Sequence, residues 1–375
     1  MAESKVTEPE VSEETTEEAI SGGVEDDTER DTTVASVAYQ ITSYGADYDV
    51  DGIVKRTRNE DIQVPPFQRN YVWTFRQASR FIESLLLGLP VPGVFLAREE
   101  STGRFLILDG QQRIRTLLFF YDGLFDPPGK VARVFALDEV QKAFQGKSYK
   151  TLEERDRRRL DNGIIHATIV KQESPPEDVD TSLFYIFERL NSGETRITHE
   201  EARSAVFHGA LISEIKTLND YGNWRKIFGR KNIRLKDQEL ILRFLALLFN
   251  RAKYSRPMAE FLNDFTARNK NPNLEFLQLC RSLFQRTIDL AYEALGDKAF
   301  RRERSFNAAV FDSVMVGLGE ALRTKSTLDP SRVAKAYHEL LADKEYTEAT
   351  SRSTADESFV SLRLEKAIEH FSSIS

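Results

Sequence analysis

Apolar residues in the first half of the chain recur with two different periods. A period of three and four predicts one helix that ends at Gly88 and another that follows Gly110. The buried faces of these helices are marked by Ala78, Phe81, Ile82 and Leu85, and by Ile114, Leu117, Leu118 and Tyr121. Between them, residues 93–108 read GVFLAREESTGRFLIL, two apolar strands around a Ser-Thr-Gly turn, which predicts a hairpin. Further strands are predicted in KVARVFAL and GIIHATIV, and prolines make residues 62–73 an extended segment.

The pattern changes at residues 171–180, KQESPPEDVD, which are typical of a linker. Nearly all later apolar segments have helical spacing: TSLFYIFERL, THEEARSAVF, DQELILRFLALLFNRA, NLEFLQLCRSLFQRTIDLAYEAL, NAAVFDSVMVGLGEALR and a last one ending at His370. The predicted architecture is therefore an α+β domain over residues 34–172 and an all-α domain over residues 173–375.

The net charge of −7 is unevenly distributed over the 375 residues. Residues 1–33 hold 12 acidic and 2 basic residues, which leaves 47 acidic and 50 basic residues for the remainder. The acidic segment has few large apolar residues, so we expect a disordered, solubilising tail. An alternative is that it mimics nucleic acid or holds a basic partner.

Composition excludes several classes of protein. Cys280 is the only cysteine, which rules out an internal disulfide, a cysteine-rich metal cluster and a CxxC redox pair, and its apolar setting predicts a core residue. The chain has no uncharged run of 18 residues and no signal-peptide pattern at its start. We therefore expect a soluble, cytoplasmic protein with no membrane association.

The most polar cluster of the first domain is LILDGQQRIRTL, residues 106–117. A strand that ends at Leu108 and a helix that begins at Gln111 would leave unpaired backbone N–H groups at the helix start, which is a phosphate site. Gly110 permits close backbone approach, Gln111 and Gln112 add donors, and Arg113 adds a planar cation. Asp109 could hold a divalent metal ion or orient a water. The plainer interpretation is an Asp109 N-cap, a Gly110 turn and a surface Arg113.

A second cluster, PPFQRNYVW, combines a cation with aromatic rings. Gln68 and Arg69 could contact phosphate, and Phe67, Tyr71 and Trp73 could stack on a base. The alternative is an aromatic-anchored loop that covers the hairpin.

A third cluster, FERLNSGETRITHEEAR, spans residues 187–203. It places Asn191, Ser192 and Gly193 in a predicted loop between two helices, where they could bind a ligand. Thr198 and Glu201 fit a capping box at the start of the second helix.

These three motifs together resemble the N-terminal domain of GmrSD-type, modification-dependent restriction endonucleases. The resemblance runs from about residue 50 to at least residue 210. It implies a fold related to ParB and sulfiredoxin, whose members bind nucleoside triphosphates around an equivalent glycine-arginine turn. It also implies nucleotide binding and hydrolysis coupled to DNA recognition or cleavage in phage defence.

The resemblance assigns residues by position. The family's QR pair matches Gln68 and Arg69, its central motif matches Asp109, Gly110, Gln111, Gln112 and Arg113, and its third motif matches Asn191, Ser192, Gly193 and Glu201. The family usually has a second glycine where this chain has Glu194, whose carboxylate should point to solvent because it would repel phosphate. Sulfiredoxin chemistry is excluded, because the central turn has no cysteine.

A separate nuclease domain of the His-Asn-His class is not expected. The five histidines, His166, His199, His208, His338 and His370, lack the spacing that such a metal site requires. The main hypothesis is therefore a nucleotide-binding and hydrolysing, DNA-associated protein. Arg69 and Arg113 would clamp phosphate, Gln111 and Gln112 would orient it, and Asp109 would position Mg²⁺ or a water.

Two alternatives stay open at the level of sequence. The chain could be a non-catalytic DNA-binding or regulatory subunit that serves a separate nuclease subunit. It could instead nick DNA itself, with Asp109 and Arg113 acting on a phosphodiester. The sequence leaves the preferred nucleotide and the oligomeric state undetermined.

Overall fold

The structure, a computed structural model, describes residues 24–26, 40–63, 71–99, 102–128, 131–174, 184, 186, 198–232, 234–302 and 305–374. The chain divides into two compact units. Val37–Val206 form a mixed unit, and Met1–Ser36 together with Phe207–Ser375 form a helical unit. The prediction of a mixed α/β region followed by a helical region is confirmed. The likeness to ParB and sulfiredoxin stays a prediction.

The elements of the mixed unit alternate between strands and helices. The strand β1 (Val24–Glu25) precedes them in the chain but belongs to the helical unit. The others are β2 (Gln40–Asp49), α1 (Val50–Arg58), β3 (Ile62–Gln63), α2 (Phe75–Leu87), β4 (Val94–Arg98), β5 (Phe105–Asp109), α3 (Gln111–Asp122), β6 (Leu124–Phe125), β7 (Arg133–Val134), α4 (Glu154–Asp161), β8 (Ile164–Ser174) and α5 (His199–Val206).

Among the described residues, the main sheet has five strands in the order β2-β8-β4-β5-β3. β2 pairs antiparallel with β8 and β4 antiparallel with β5, whereas β4 with β8 and β3 with β5 are parallel. Because β3 and β5 are parallel, with Ile62 opposite Phe105, their carboxyl ends point to the same edge of the sheet. The segments that follow these two strands therefore start from one edge.

One face of this sheet packs on the helices of the unit. Ile165, Ala167 and Ile169 alternate along β8 and point into a core that also contains Ile82 of α2 and Leu117 of α3. Burial of such side chains stabilises the unit by about 1.5–3 kcal/mol each. This shared core fixes the position of α3 relative to the sheet.

Local signals explain most element ends in the mixed unit. Thr74 and Gln77 form a capping box at the start of α2, and the helix ends at Gly88 as predicted. The predicted hairpin is the β4–β5 pair. Two predictions differ from the structure: the KVARVFAL strand is confined to Arg133–Val134, and the predicted linker begins inside β8, which stays paired to Ser174. The unit boundary accordingly falls after Val206 and not at residue 172.

The helical unit consists mainly of helices, with one small sheet in its described part. The elements are α6 (Ala210–Leu218), α7 (Gly222–Phe228), α8 (Lys236–Asn250), α9 (Met258–Arg268), α10 (Leu274–Leu295), β9 (Arg301–Arg302), β10 (Ser305–Asn307), α11 (Ala308–Thr324), α12 (Pro330–Ala342), α13 (Lys344–Ala349) and α14 (Glu357–Ser372). Helix α11 is buried along nearly its whole length and contacts α8, α10 and α14. Cys280 is fully buried, as predicted. No described helix is both long enough and apolar enough to cross a membrane.

The acidic N-terminal stretch contains a structured part, which differs from the prediction of disorder over residues 1–33. β1 pairs in parallel with β10, with Val24 opposite Phe306. The Asp26 carboxylate lies 2.6 Å from the Lys236 ammonium and 2.6 Å from the Arg243 guanidinium, and its side chain is 3% exposed. A buried ion pair offsets the desolvation that acidic composition alone would impose on this segment.

Candidate phosphate-binding site

The central motif lies where β5 turns into α3. β5 ends at Asp109, Gly110 is the N-cap with φ 99°, and α3 begins at Gln111. A Cβ atom on Gly110 would lie 2.5 Å from Cγ1 of Val94, so both the backbone angle and the packing require glycine. The N-cap offers no side-chain hydrogen bond to the first N–H groups of α3. The predicted strand-glycine-helix turn is present, and its N-cap residue has no side chain to cap the helix.

Asp109 and Arg113 bind each other across this turn. The Arg113 guanidinium lies 2.7 Å from the Asp109 carboxylate and also donates to the backbone carbonyl of Gly93, just before β4. The Arg113 side chain is 13% exposed and that of Asp109 is 37% exposed. Arg113 is therefore neither a surface side chain nor an unengaged clamp. It ties the start of α3 to β5 and to the approach to β4.

A β-bulge sets the position of Asp109. The register between β4 and β5 shifts between Phe95 and Leu96, which places Asp109 opposite Phe95. A bulge re-aims side chains at the end of a strand. Asp109 consequently reaches solvent in part, although its strand neighbours Ile107 and Leu108 are fully buried.

Gln112 connects the central motif to the flank of the second one. Its Oε1 accepts hydrogen bonds from the backbone N–H groups of Val72, at 3.0 Å, and Trp73, at 3.3 Å. These two amides lie 40 and 39 residues away in sequence. In this geometry the side-chain amide oxygen of Gln112 positions the backbone of Val72 and Trp73.

Tyr71 packs in the core. Its hydroxyl lies 2.6 Å from Oγ1 of Thr116, its ring meets Phe119 and Phe125 edge-on, and it is 2% exposed. Burial raises the pKa of Tyr71 to about 12. Trp73 is half-buried, with its ring edge-on to Phe81 at 5.6 Å. The structure thus supports the alternative interpretation of these two rings, an aromatic anchor for the loop, and gives Tyr71 no open face for a base.

Gln68 and Arg69 lie outside the described residues, between Gln63 and Tyr71. Both flanks of their segment are fixed beside the central motif: β3 pairs with β5, and the backbone at Val72 and Trp73 is bound by Gln112 of α3. The topology therefore brings the flanks of the first motif to the turn that carries the second.

The third motif is described only from Thr198 onward, and Asn191, Ser192, Gly193 and Glu194 lie outside the described residues. The Glu201 side chain accepts from the Thr198 N–H at 2.7 Å, and the Glu201 N–H donates to the Thr198 hydroxyl at 3.2 Å. The predicted capping box at the start of α5 is confirmed. α5 belongs to the same compact unit as the other two motifs.

Arg115 is a half-buried cation of α3 to which the sequence-based prediction gave no role. It lies four residues after Gln111, so the two side chains share one face of α3. Burial lowers the pKa of the half-buried Arg115 guanidinium. Among the residues that the structure describes, no hydrogen bond or ion pair involves it. The i, i+4 spacing to Gln111 was the available signal in the sequence.

The carboxylates at this turn are too few for a metal site built from protein side chains alone. Within the described residues, no group of three or more His, Cys, Asp or Glu side chains could hold a metal ion. Asp109 already binds Arg113. A Mg²⁺ ion here would depend on phosphate oxygens of a ligand for most of its coordination, which is common for nucleotide-bound Mg²⁺.

Comparison with known families adds an independent observation. Residues 50–208 match the family model described as GmrSD restriction endonuclease, N-terminal domain. This part of the chain belongs to that family. The resemblance stated from the three motifs is confirmed. No curated protein matches the chain.

The GmrSD N-terminal domain coincides with most of the mixed unit. It begins at Val50, the first residue of α1, and ends at His208, two residues after α5. It includes all three motifs but not β2, the edge strand of the sheet. From residue 209 onward, the helical unit lies outside the match.

Proposed function

We propose that the GmrSD N-terminal domain of this chain binds a nucleoside triphosphate at the start of α3 and hydrolyses it. The observation that carries this proposal is the glycine N-cap of α3 at Gly110, where the turn is so tight that a methyl group would collide with Val94. Backbone N–H groups at such a position bind phosphate oxygens, and the helix dipole adds to the attraction. The matching family is the N-terminal domain of a restriction endonuclease, which supports association with DNA and a part in defence against phage.

Each motif residue has a role in this proposal. Asp109, which is partly exposed, orients the attacking water, and Arg113 fixes the position of Asp109. Gln112 holds the chain that follows the QR pair, so that Gln68 and Arg69 can approach the phosphates. Gln111 is the first residue of α3 and is partly buried, and its side-chain amide would donate to a phosphate oxygen. Mg²⁺ would reach the site on the triphosphate, with Asp109 as one protein ligand, and would neutralise phosphate charge.

Binding and hydrolysis can be tested with the full chain and the four ribonucleoside triphosphates, with and without DNA. A ligand at a hundredfold excess over its Kd stabilises the native state by about 3 kcal/mol, which a thermal shift detects. We expect a shift with at least one triphosphate, and hydrolysis that Asp109→Asn reduces strongly without lowering the melting temperature by more than a few degrees. The proposal fails if wild-type protein neither binds nor hydrolyses any of them.

A second candidate function is a non-catalytic DNA-binding or regulatory subunit that acts with a separate nuclease. The Asp109–Arg113 pair favours it, because two side chains that satisfy each other can serve as a purely structural brace. Salt-sensitive DNA binding without any nucleotide response would support this candidate. Nicking of supercoiled plasmid by the purified chain would instead support direct action on DNA.

A further inference from the structure

Two arginines of α3, only two residues apart, have opposite surroundings. Arg113 binds the Gly93 carbonyl and the Asp109 carboxylate and is 13% exposed. Arg115 is half-buried, and within the described residues it makes no hydrogen bond or ion pair. A phosphate site built on α3 therefore has one arginine already engaged and one available.

Helix geometry places the two guanidinium groups on different sides of α3. Two residues along an α-helix correspond to a rotation of about 200° around its axis, so their side chains point to nearly opposite sides. Since Arg113 faces β5 and the approach to β4, Arg115 points away from the sheet, on the side of Gln111. Its Cα lies about 6 Å along the axis from that of Gln111, and helical side chains tilt toward the helix start. The length of an arginine side chain spans this distance.

The partial burial of Arg115 also favours an anionic ligand at this residue. A cation that is partly removed from water without a partner loses hydration that no protein contact restores. An anion that binds beside it recovers this loss and gains a charge-assisted hydrogen bond. Arg113 has no such deficit, because Asp109 already supplies the opposite charge.

We propose that Arg115, not Arg113, supplies the cationic contact to the terminal phosphates of the bound triphosphate. This inference rests on the proposed function and names the residue that recognises the polyphosphate. Arg113 is a positioning residue that holds the turn. A nucleotide and the DNA backbone both carry phosphate groups. The ligand proposed for Arg115 is the nucleotide and not the DNA backbone.

The test compares Arg115→Ala, Arg115→Lys and Arg113→Ala in the full chain, with Arg80→Ala as a matched control. Arg80 lies on another helix of the same unit, α2, and is exposed, so its removal changes net charge equally without touching α3 itself. The probes are the tightest-binding ribonucleoside triphosphate, its monophosphate, inorganic tripolyphosphate and a labelled DNA duplex, and affinity and melting temperature are measured for each variant.

We expect Arg115→Ala to weaken triphosphate and tripolyphosphate binding by at least about tenfold, and to remove most of the preference over the monophosphate. Arg115→Lys should restore part of the affinity, and Arg80→Ala should stay within about twofold of wild type. Arg115→Ala should keep or raise the melting temperature, whereas Arg113→Ala should lower it. If Arg115 had only a structural role, Arg115→Ala would lower the melting temperature and leave the affinity for the triphosphate unchanged.

Three outcomes overturn the inference. If wild type binds the triphosphate and Arg115→Ala binds it equally well, the inference is wrong and the proposed function stands. The same conclusion follows if Arg115→Ala loses only DNA binding. If wild type binds none of the phosphate probes, the proposed function fails as well.

Discussion

Both units of this protein contain buried charges that pair with each other, but the mixed unit also has a half-buried arginine without a partner among the described residues. In the helical unit, three acidic and three basic side chains lie buried together and pair with one another: Asp26, Glu239, Asp312, Lys236, Arg243 and Arg363. In the mixed unit, the buried Arg203 pairs with Glu200 in the same way, whereas Arg115 is half-buried beside the central motif without a described partner. Paired charges hold the fold in both units, and the proposal of a ligand contact at Arg115 rests on its lack of such a partner within the described part of the chain.

The helical cluster illustrates compensation most clearly at Arg243. Burial alone would lower the pKa of the Arg243 guanidinium, but the Asp26 and Asp312 carboxylates raise it. The cluster also binds residues far apart in sequence, since Asp26 and Arg243 are 217 positions apart. Such a cluster is sensitive to the loss of any one partner, because the remaining charges stay buried.

The largest effect is expected for Asp312→Ala. This carboxylate contacts both Arg243 and Arg363, and all three side chains are 0% exposed. Its removal should lower the free energy of unfolding of the helical unit by about 3–5 kcal/mol. Only two tryptophans exist, Trp73 in the mixed unit and Trp224 in the helical unit, so denaturation followed by fluorescence in a Trp73→Phe background reports the helical unit alone.

Asp264→Ala is the matched control for that experiment. Asp264 is exposed in the same unit, 4.0 Å from Arg268, and its loss should change stability by less than about 0.5 kcal/mol. Similar effects of the two substitutions would show that the buried cluster contributes no more than a surface pair, and the comparison between the units would lose its basis.

Asp26→Ala should give the next largest effect, about 3 kcal/mol in the same assay. Lys236 keeps Glu239 and Arg243 keeps Asp312, which limits the loss. Deletion of residues 1–23 is the control, because the described contacts of this segment begin at Val24. If the deletion and the substitution destabilise equally, the contribution comes from the wider segment and not from the Asp26 ion pairs.

Gly110→Ala probes the mixed unit, where the tight fit of the Gly110 turn adds to the Asp109–Arg113 pair in holding the start of α3. The positive φ and the collision with Val94 should together reduce stability by about 2 kcal/mol. Gly103→Ala is the control, since Gly103 has φ +70° but nothing within 4 Å of the added methyl group. Equal losses for the two glycines, measured by denaturation in a Trp224→Phe background, would rule out a tight turn at Gly110.

The smallest predicted effect concerns Tyr71, a buried side chain of the mixed unit whose hydroxyl has a hydrogen-bond partner in Thr116. Tyr71→Phe removes the hydrogen bond to Thr116 and should lower stability at neutral pH by about 1 kcal/mol. The folded-state pKa is raised to about 12 from the ordinary 10.0, so the neutral hydroxyl stabilises the fold below pH 10 and this contribution is lost as pH rises toward 12. Wild type should lose more stability across this interval than Tyr71→Phe, and parallel pH curves would show that Tyr71 ionises without penalty.

Local patterns carried much of the fold and the core of the site. The helix that follows Gly110, the β4–β5 hairpin and the capping box of Thr198 and Glu201 all depend on neighbouring residues, which is why periodicity and turn chemistry predicted them. The family also followed from motifs that are each short and contiguous.

What the sequence did not predict depends on distant partners. Gln112 positions a backbone 40 residues away, and Arg113 meets the carbonyl of Gly93, so neither role is visible in a helical pattern. The burial of Asp26 depends on Arg243 and Lys236, while its acidic neighbours in sequence favour a solvated tail. The composition of a segment indicates only its average exposure to solvent. A single charged side chain such as Asp26 can be buried when it pairs with an opposite charge.

The most direct test of the central claim is amide hydrogen exchange of the full chain with and without the triphosphate that binds most tightly. The account predicts slower exchange at the first amides of α3, Gln111 to Arg113, with no change in the helical unit, because phosphate oxygens would accept from those N–H groups. Triphosphate binding that leaves the exchange of these amides unchanged would contradict a phosphate site at Gly110.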